Sequence, residues 1–205
     1  MLESAKLREV STGHLYLASA SPRRAALLEQ IGVKYRVHAV ALPETPLAGE
    51  GPPELARRLA LAKARQAWTE TRGEAPVLAA DTVVALDGAS LGKPSDGKEA
   101  LDMLERLSGR THEVHTAVAL ITRTGAQLEL STSRVTMRVI TPEERAAYWA
   151  TGEPADKAGA YGVQGLAAAF ISRIEGSYSG VMGLPLFETA EMLRSAGWAV
   201  FSEIA

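Results

Sequence analysis

The stretch APVLAADTVVAL, residues 75–86, constrains the fold more than any other segment of the chain. An apolar run of this length, bounded by turn residues, reads as a buried central strand. Asp87 and Gly88 follow it as a favoured hairpin turn into ASLGKP. Two longer alternating stretches, HEVHTAVALITR and QLELSTSRVTMRVI, flank a turn at Gly125 and require an antiparallel hairpin. Upstream, LYLAS reads as a short buried strand feeding a helix, and KYRVHAV as a second strand. The expected architecture is therefore α/β, with a mixed sheet flanked by helices.

The helices announce themselves by caps and periodicity. Ser21 and Pro22 open a helix that stops at Gly32. After the proline-rich loop ALPETPLAGEGPPE, residues Leu55, Leu59, Ala62 and Trp68 mark the apolar side of a long helix. Arg57, Arg58, Lys63 and Arg65 are assigned to its exposed face. Ser95 is the expected cap of DGKEALDMLERLSG, which ends at Gly109. Thr141, Pro142 and Glu144 form a capping-box signature. The glycine-rich KAGAYGVQG then leads to an expected strand, AAFISRI, followed by the helix PLFETAEMLRSAG and a last strand, WAVFSEI. No repeat or linker divides the chain, so residues 14–205 read as one domain behind a loose extension over residues 1–13.

Charge and composition exclude several classes. With 22 basic and 24 acidic residues the net charge is -2, which offers no global field for nucleic acid. Cysteine is absent, which removes disulfides, thiolate metal sites and a cysteine nucleophile. The first residues lack the continuous apolar run of a signal peptide, and the uncharged stretch Ala158–Ser172 is too short and glycine-rich for a bilayer. A cytoplasmic protein without membrane or nucleic-acid partners is expected.

Familiar motifs fail on their letters. Around GKP, Asp87 stands where a P-loop needs its first glycine and Pro94 where it needs Ser or Thr. GAYGVQG lacks the dinucleotide spacing, and GSYSG carries Tyr178 where a nucleophile elbow needs serine. His112 and His115, an odd number apart in a strand, point to opposite faces and cannot share a metal.

What remains is cationic: Arg23 and Arg24, Lys63, Lys93 and Lys157. The arginine pair sits at a helix N-terminus, the wrong sign for the helix dipole by roughly 0.3–1 kcal/mol each. Free N–H groups and two guanidinium forks there form a ready site for phosphate. Asp81 interrupts the apolar central strand, where a carboxylate is costly unless paired, metal-bound or opened into a cleft. It reads either as a local turn cap or as a base or magnesium ligand facing those phosphates.

Taken together, the blocks LASASPRR, RLALAKA, AADTVVALDGASLGKP, ALDMLERLSGRTHEVHTAVAL, EPADKAGAYGVQG and GSYSGVMGLPL resemble the Maf, or septum-formation-inhibitor-like, nucleoside triphosphate pyrophosphatases. The resemblance runs from Leu15 to about Leu193. It implies a Maf/ITPase-like α/β fold with a long twisted sheet and two lobes about a central cleft. It implies hydrolysis of a nucleoside triphosphate to a monophosphate and pyrophosphate with a divalent metal, magnesium or manganese. Asp81 matches the family's proton acceptor. Ser19, Arg23, Arg24, Lys63 and Lys93 match its substrate shell, and Glu44 joins Asp81 as a metal ligand. Dimers are common in the family, so a homodimer is allowed.

Arg23, Thr82 and Gln164 match the family's branch that acts on dTTP and UTP, with modified pyrimidine nucleotides as an extension. A second branch, with SPWR, SDQ and AEG in these places, prefers 7-methyl-GTP. A neutral amide at Gln164 can donate to and accept from a pyrimidine edge, or simply tie down its own turn. Two alternatives stay open: a pyrophosphatase for non-canonical purine triphosphates, and a nucleotide-binding regulator of cell division.

Overall fold

The computed structural model describes residues 13–201, so the expected N-terminal extension lies, up to residue 12, outside the described residues. A single sheet of seven strands organises the chain. In chain order the elements are β1 (Leu15–Leu17), α1 (Pro22–Gln30), β2 (Tyr35–Val37), α2 (Pro52–Glu70), β3 (Val77–Leu86), β4 (Ala89–Leu91), α3 (Gly97–Leu107), β5 (Thr111–Thr122) and β6 (Gly125–Met137). α4 (Pro142–Ala150) follows, then three short 3₁₀ turns, β7 (Ile171–Glu175), α5 (Tyr178–Met182) and α6 (Leu186–Ser195). The sheet order is β2-β1-β3-β5-β6-β7, with β4 also on β3. The β1–β2 and β1–β3 pairs are parallel and the others antiparallel, so the sheet is mixed as the patterning requires.

The expected hairpins form. Asp87 and Gly88 both adopt positive φ, 52° and 77°, as a two-residue turn between Leu86 and Ala89 demands. β5 and β6 pair in register from Thr111↔Thr136 to Thr122↔Gly125.

β3 is the pivot. Along one edge it is paired with β5 from Val77 to Ala85. Along the other, β1 holds only Val77 and Leu78, and β4 holds only Val84 to Leu86. The stretch between, which contains Asp81 and Thr82, has no strand beside it on that edge, and the sheet splits there.

Alternation then assigns faces. Val77, Ala79 and Val83 pack under α2 with Ala117, Ala119 and Ile121 of β5. On the opposite face Leu78 and Ala80 join a cluster with Leu27, Leu28 and Leu193, while Val84 and Leu86 join another with Leu104, Leu107 and Tyr148. Two apolar lobes thus share one sheet face and part at Thr82. Among the described residues no helix is long and apolar enough to cross a membrane.

Several local expectations need correction. The buried stripe of α2 runs through Leu55, Ala56, Leu59, Ala60, Lys63, Ala64 and Ala67, leaving Ala62 and Trp68 half-buried. Lys63, four residues after Leu59, is on this inner stripe rather than on the exposed face. Asp96, not Ser95, caps α3, accepting from the Glu99 N–H. Ser21 occupies the cap position of α1 without a side-chain cap bond. Only Tyr35–Val37 of KYRVHAV is strand, matching the three residues that β1 offers as a partner. In AAFISRI the strand begins only at Ile171; Ala168, Ala169 and Phe170 belong to the 3₁₀ turn Leu166–Phe170, consistent with the poor strand preference of alanine. Of WAVFSEI, Trp198 makes an isolated bridge and Val200 and Phe201 form a bend, with the Phe201 N–H on the Ile31 carbonyl at 2.9 Å. The rest of that segment lies outside the described residues.

Candidate active site

The split in the sheet opens a cleft of about 470 Å³. Ser19, Arg23, Arg24, Glu44, Lys63, Asp81, Thr82, Lys93 and Gln164 all line it, so every site residue expected from the sequence is brought to one place. Its lining carries five cations, Arg23, Arg24, Lys63, Lys93 and Lys157, against three carboxylates, Glu44, Asp81 and Asp156. A protein of net negative charge therefore concentrates positive charge here, as an anionic ligand requires.

On the α2 side, Asp81 projects from β3 toward Lys63, and both are buried. Lys63 Nζ donates to Asp81 Oδ1 at 2.5 Å and to Glu44 Oε1 at 2.6 Å. An ammonium has three N–H donors, so one is left for a ligand. Lys93 Nζ lies 3.7 Å from Glu44 Oε2 with its own side chain 59% exposed, which makes it the more exposed of the two lysines on Glu44. Burial raises the Asp81 carboxyl above its ordinary value against the pull of Lys63 and Arg24. Burial acts the same way on Glu44, but the Lys63 hydrogen bond and the charges of Lys63, Lys93 and Arg24 outweigh it and hold Glu44 low. Two carboxylates a few ångströms apart are thus driven in opposite directions by environment.

On the other sheet face, Arg24 is held at three points. Its Nε donates to the Gly183 carbonyl at 2.8 Å, Nη1 to Ser19 Oγ at 3.1 Å and Nη2 to Thr82 Oγ1 at 3.3 Å. Of its five N–H donors two remain for a ligand. Thr82 Oγ1 also lies 3.0 Å from Thr116 Oγ1, which is itself 2.7 Å from the Gly180 carbonyl. The Thr116 hydroxyl is the donor in both contacts, to the nearer Gly180 carbonyl and to Thr82 Oγ1. Thr82 Oγ1 therefore accepts from both Thr116 and Arg24.

Across the cleft, Arg23 Nη1 meets Asp156 Oδ2 at 3.5 Å. Lys157 Nζ donates to Asp156 Oδ1 and to the Glu153 carbonyl, each at 2.7 Å. Gln164 is exposed at the rim of the cleft. The roles of Asp156 and Gly183 had no signature in the sequence, since one is an isolated carboxylate and the other acts through its carbonyl. His112 and His115 lie outside the lining, bonded to Tyr161 Oη and Thr132 Oγ1.

Glu44 and Asp81 could hold a cation between them. Among the described residues no cluster of three or more His, Cys, Asp or Glu forms a protein-only metal cage. Magnesium suits such a partial donor set, because it is commonly held by one or two carboxylates with the remaining positions filled by water and substrate phosphate. The residues present fit a metal that arrives with a polyphosphate.

The model of the Maf-like protein family matches residues 14–196. The chain belongs to the Maf-like family. Within it, a dTTP/UTP pyrophosphatase of Methylobacillus flagellatus is 51% identical, over 94% of this chain and 97% of that protein. One of Bordetella parapertussis is 54% identical over 91% and 94%, and one of Nitrosomonas europaea 49% identical over 91% and 96%. Among solved structures, a dITP/XTP pyrophosphatase of Mycobacterium abscessus covers 68% of this Maf-like chain and 95% of its own, at 19% identity and a TM-score of 0.43.

Proposed function

We propose that this Maf-like chain is a nucleoside triphosphate pyrophosphatase that hydrolyses dTTP and UTP to the monophosphate and pyrophosphate. The observation that carries the reading is the buried Asp81–Lys63–Glu44 arrangement in the gap of the sheet, faced by the anchored Arg24. The name shared by its relatives supports the substrate class.

The reaction breaks the bridging bond between the α and β phosphates and adds one water. Asp81 takes a proton from that water, a task suited to a carboxylate whose basicity burial has raised. The free donors of Arg24 and Lys63, with Lys93, meet the phosphate oxygens on which charge builds. The N-terminal N–H groups of α1 add to them. A divalent cation held by Glu44 and Asp81, magnesium or manganese, would neutralise charge on the phosphate chain. Gln164, at the rim, reads the O4/N3 edge of the pyrimidine with an amide that both donates and accepts.

The test is a product-resolved assay with magnesium or manganese against dTTP, UTP, CTP, GTP, ITP and 7-methyl-GTP. Pyrophosphate with dTMP and UMP is expected. Preference for ITP would move the substrate to non-canonical purines. Release of inorganic phosphate and a diphosphate would contradict the reaction class, and binding without turnover would indicate a regulator.

A further inference from the structure

The segment that carries Gln164, residues 153–166, is built from short 3₁₀ turns and the bends between them, with no longer helix or strand. Two residues outside the cleft lining hold it. Tyr148, on α4 and 3% exposed, donates from Oη to Glu153 Oε1 at 2.7 Å and accepts the Gly162 N–H at 3.1 Å. Glu153 spends its other oxygen, Oε2, on the Leu166 N–H at 2.9 Å. One hydroxyl and one carboxylate thus bind the segment's start, its middle and its end.

The packing is as tight as the hydrogen bonding. A Cβ on Gly165 would fall 2.3 Å from Glu153 Oε1, so any side chain there would displace the Glu153 carboxylate from its two hydrogen bonds. Gly165 immediately follows Gln164, so the backbone that aims the amide is pressed against the Glu153 carboxylate. The Tyr148 ring is fixed in turn by the lobe that contains Leu104 and Leu107 and by an edge-to-face contact with Phe170 at 5.5 Å.

We propose that Tyr148 and Glu153 are positioning residues for nucleotide selection: they set where Gln164 stands against the base without touching the ligand. This inference rests on the pyrimidine reading given above. The phosphate-binding residues Arg24, Lys63 and Lys93 receive no hydrogen bond from either, so selection and chemistry are separable by mutation.

Tyr148→Phe, Glu153→Gln and the double variant test it. Phenylalanine keeps the ring and removes the bridge, whereas glutamine keeps one acceptor and so can accept from the Leu166 N–H or from the Tyr148 hydroxyl but not from both. Steady-state kinetics with dTTP and dCTP, melting temperatures, and dissociation constants for the α,β-methylene analogues of both nucleotides are measured together. The dTTP-over-dCTP preference is expected to fall about tenfold in each single variant, through KM, with kcat for dTTP within about threefold of wild type. The double variant should lose little more than the worse single, because both changes cut one connection.

An unchanged preference in the folded single variants, whatever happens to melting temperature, overturns the inference. So does a loss of kcat with the preference intact. If Tyr148→Phe does not fold, Glu153→Gln decides alone. A wild type that binds the thymine analogue preferentially but does not turn dTTP over would end the pyrophosphatase reading, and the dissociation constants of the variants would still decide this one.

Discussion

Lys63 Nζ donates to Asp81 Oδ1 at 2.5 Å across the interface of α2 and β3, with both side chains only 9% exposed. The same ammonium holds Glu44, which comes from a loop rather than from the sheet. One lysine therefore sets the geometry of two carboxylates and tilts their protonation. A buried carboxylate without that partner would carry the full cost of desolvation.

Replacing Lys63 by methionine keeps the packing of the stem and removes the charge. Activity with dTTP should fall by about 10²–10³, the typical loss for a buried electrostatic stabiliser. The cation favours the ionised form of Asp81, so its removal raises the carboxyl further. The acidic limb of the kcat/KM profile should then move to higher pH in any residual activity. A pH–rate profile of wild type and variant checks both effects.

Stability should carry a separate pH signature. His112 is 2% exposed and burial pushes it down from 6.5 to about 4. A folded value below the unfolded one means that the contribution is present above about pH 6.5 and is lost as pH falls through about 4. The unfolded chain binds the extra proton in that window, which costs at most about 3 kcal/mol from this residue. Burial lowers His115 as well, so the two act in the same direction. Denaturant titrations at pH 7.5 and pH 5 should show the loss, and His112→Gln should reduce the difference.

How far these features are legible in the sequence depends on what fixed them. The β3 strand, the Asp87–Gly88 turn, the β5–β6 hairpin and the Thr141 capping box are local, and alternation or cap chemistry specifies them without the rest of the chain. Lys63 shows the opposite case. A lysine reads as surface by type, yet its period places it on the buried stripe of α2, and only Asp81 across the interface makes that tolerable. The placing of Glu44 beside Lys63, and of the Gly183 carbonyl on Arg24, depends on long-range packing that no local pattern encodes. The end of the chain reads as a strand because Trp198, Val200 and Phe201 are apolar and strand-favouring, but a bend at Val200 and Phe201 interrupts it, with the Phe201 N–H on the Ile31 carbonyl at 2.9 Å.

Specificity should follow the rim of the cleft. Arg23→Trp combined with Gln164→Glu should reduce dTTP and UTP use by about tenfold or more while leaving the reaction products unchanged. Glutamate lacks the donor that the O4 of thymine or uracil requires. Competition assays with a nucleotide mixture, resolved by chromatography, read the change directly.

The capping box of α4 offers a stability test remote from the chemistry. Thr141 Oγ1 accepts the Glu144 N–H at 3.3 Å while Glu144 Oε2 accepts the Thr141 N–H at 3.0 Å. Thr141→Ala should cost about 1 kcal/mol in denaturant unfolding. Because α4 also carries Tyr148, the same variant should weaken nucleotide selection before it weakens turnover.

The most direct test of the account is Asp81→Asn, assayed with dTTP and magnesium alongside a binding measurement on the α,β-methylene analogue. Asparagine keeps the size and can still accept from Lys63, but it cannot take a proton from water. Release of dTMP and pyrophosphate is expected to be abolished while the analogue still binds and the fold is retained. Wild-type turnover in that variant would contradict it.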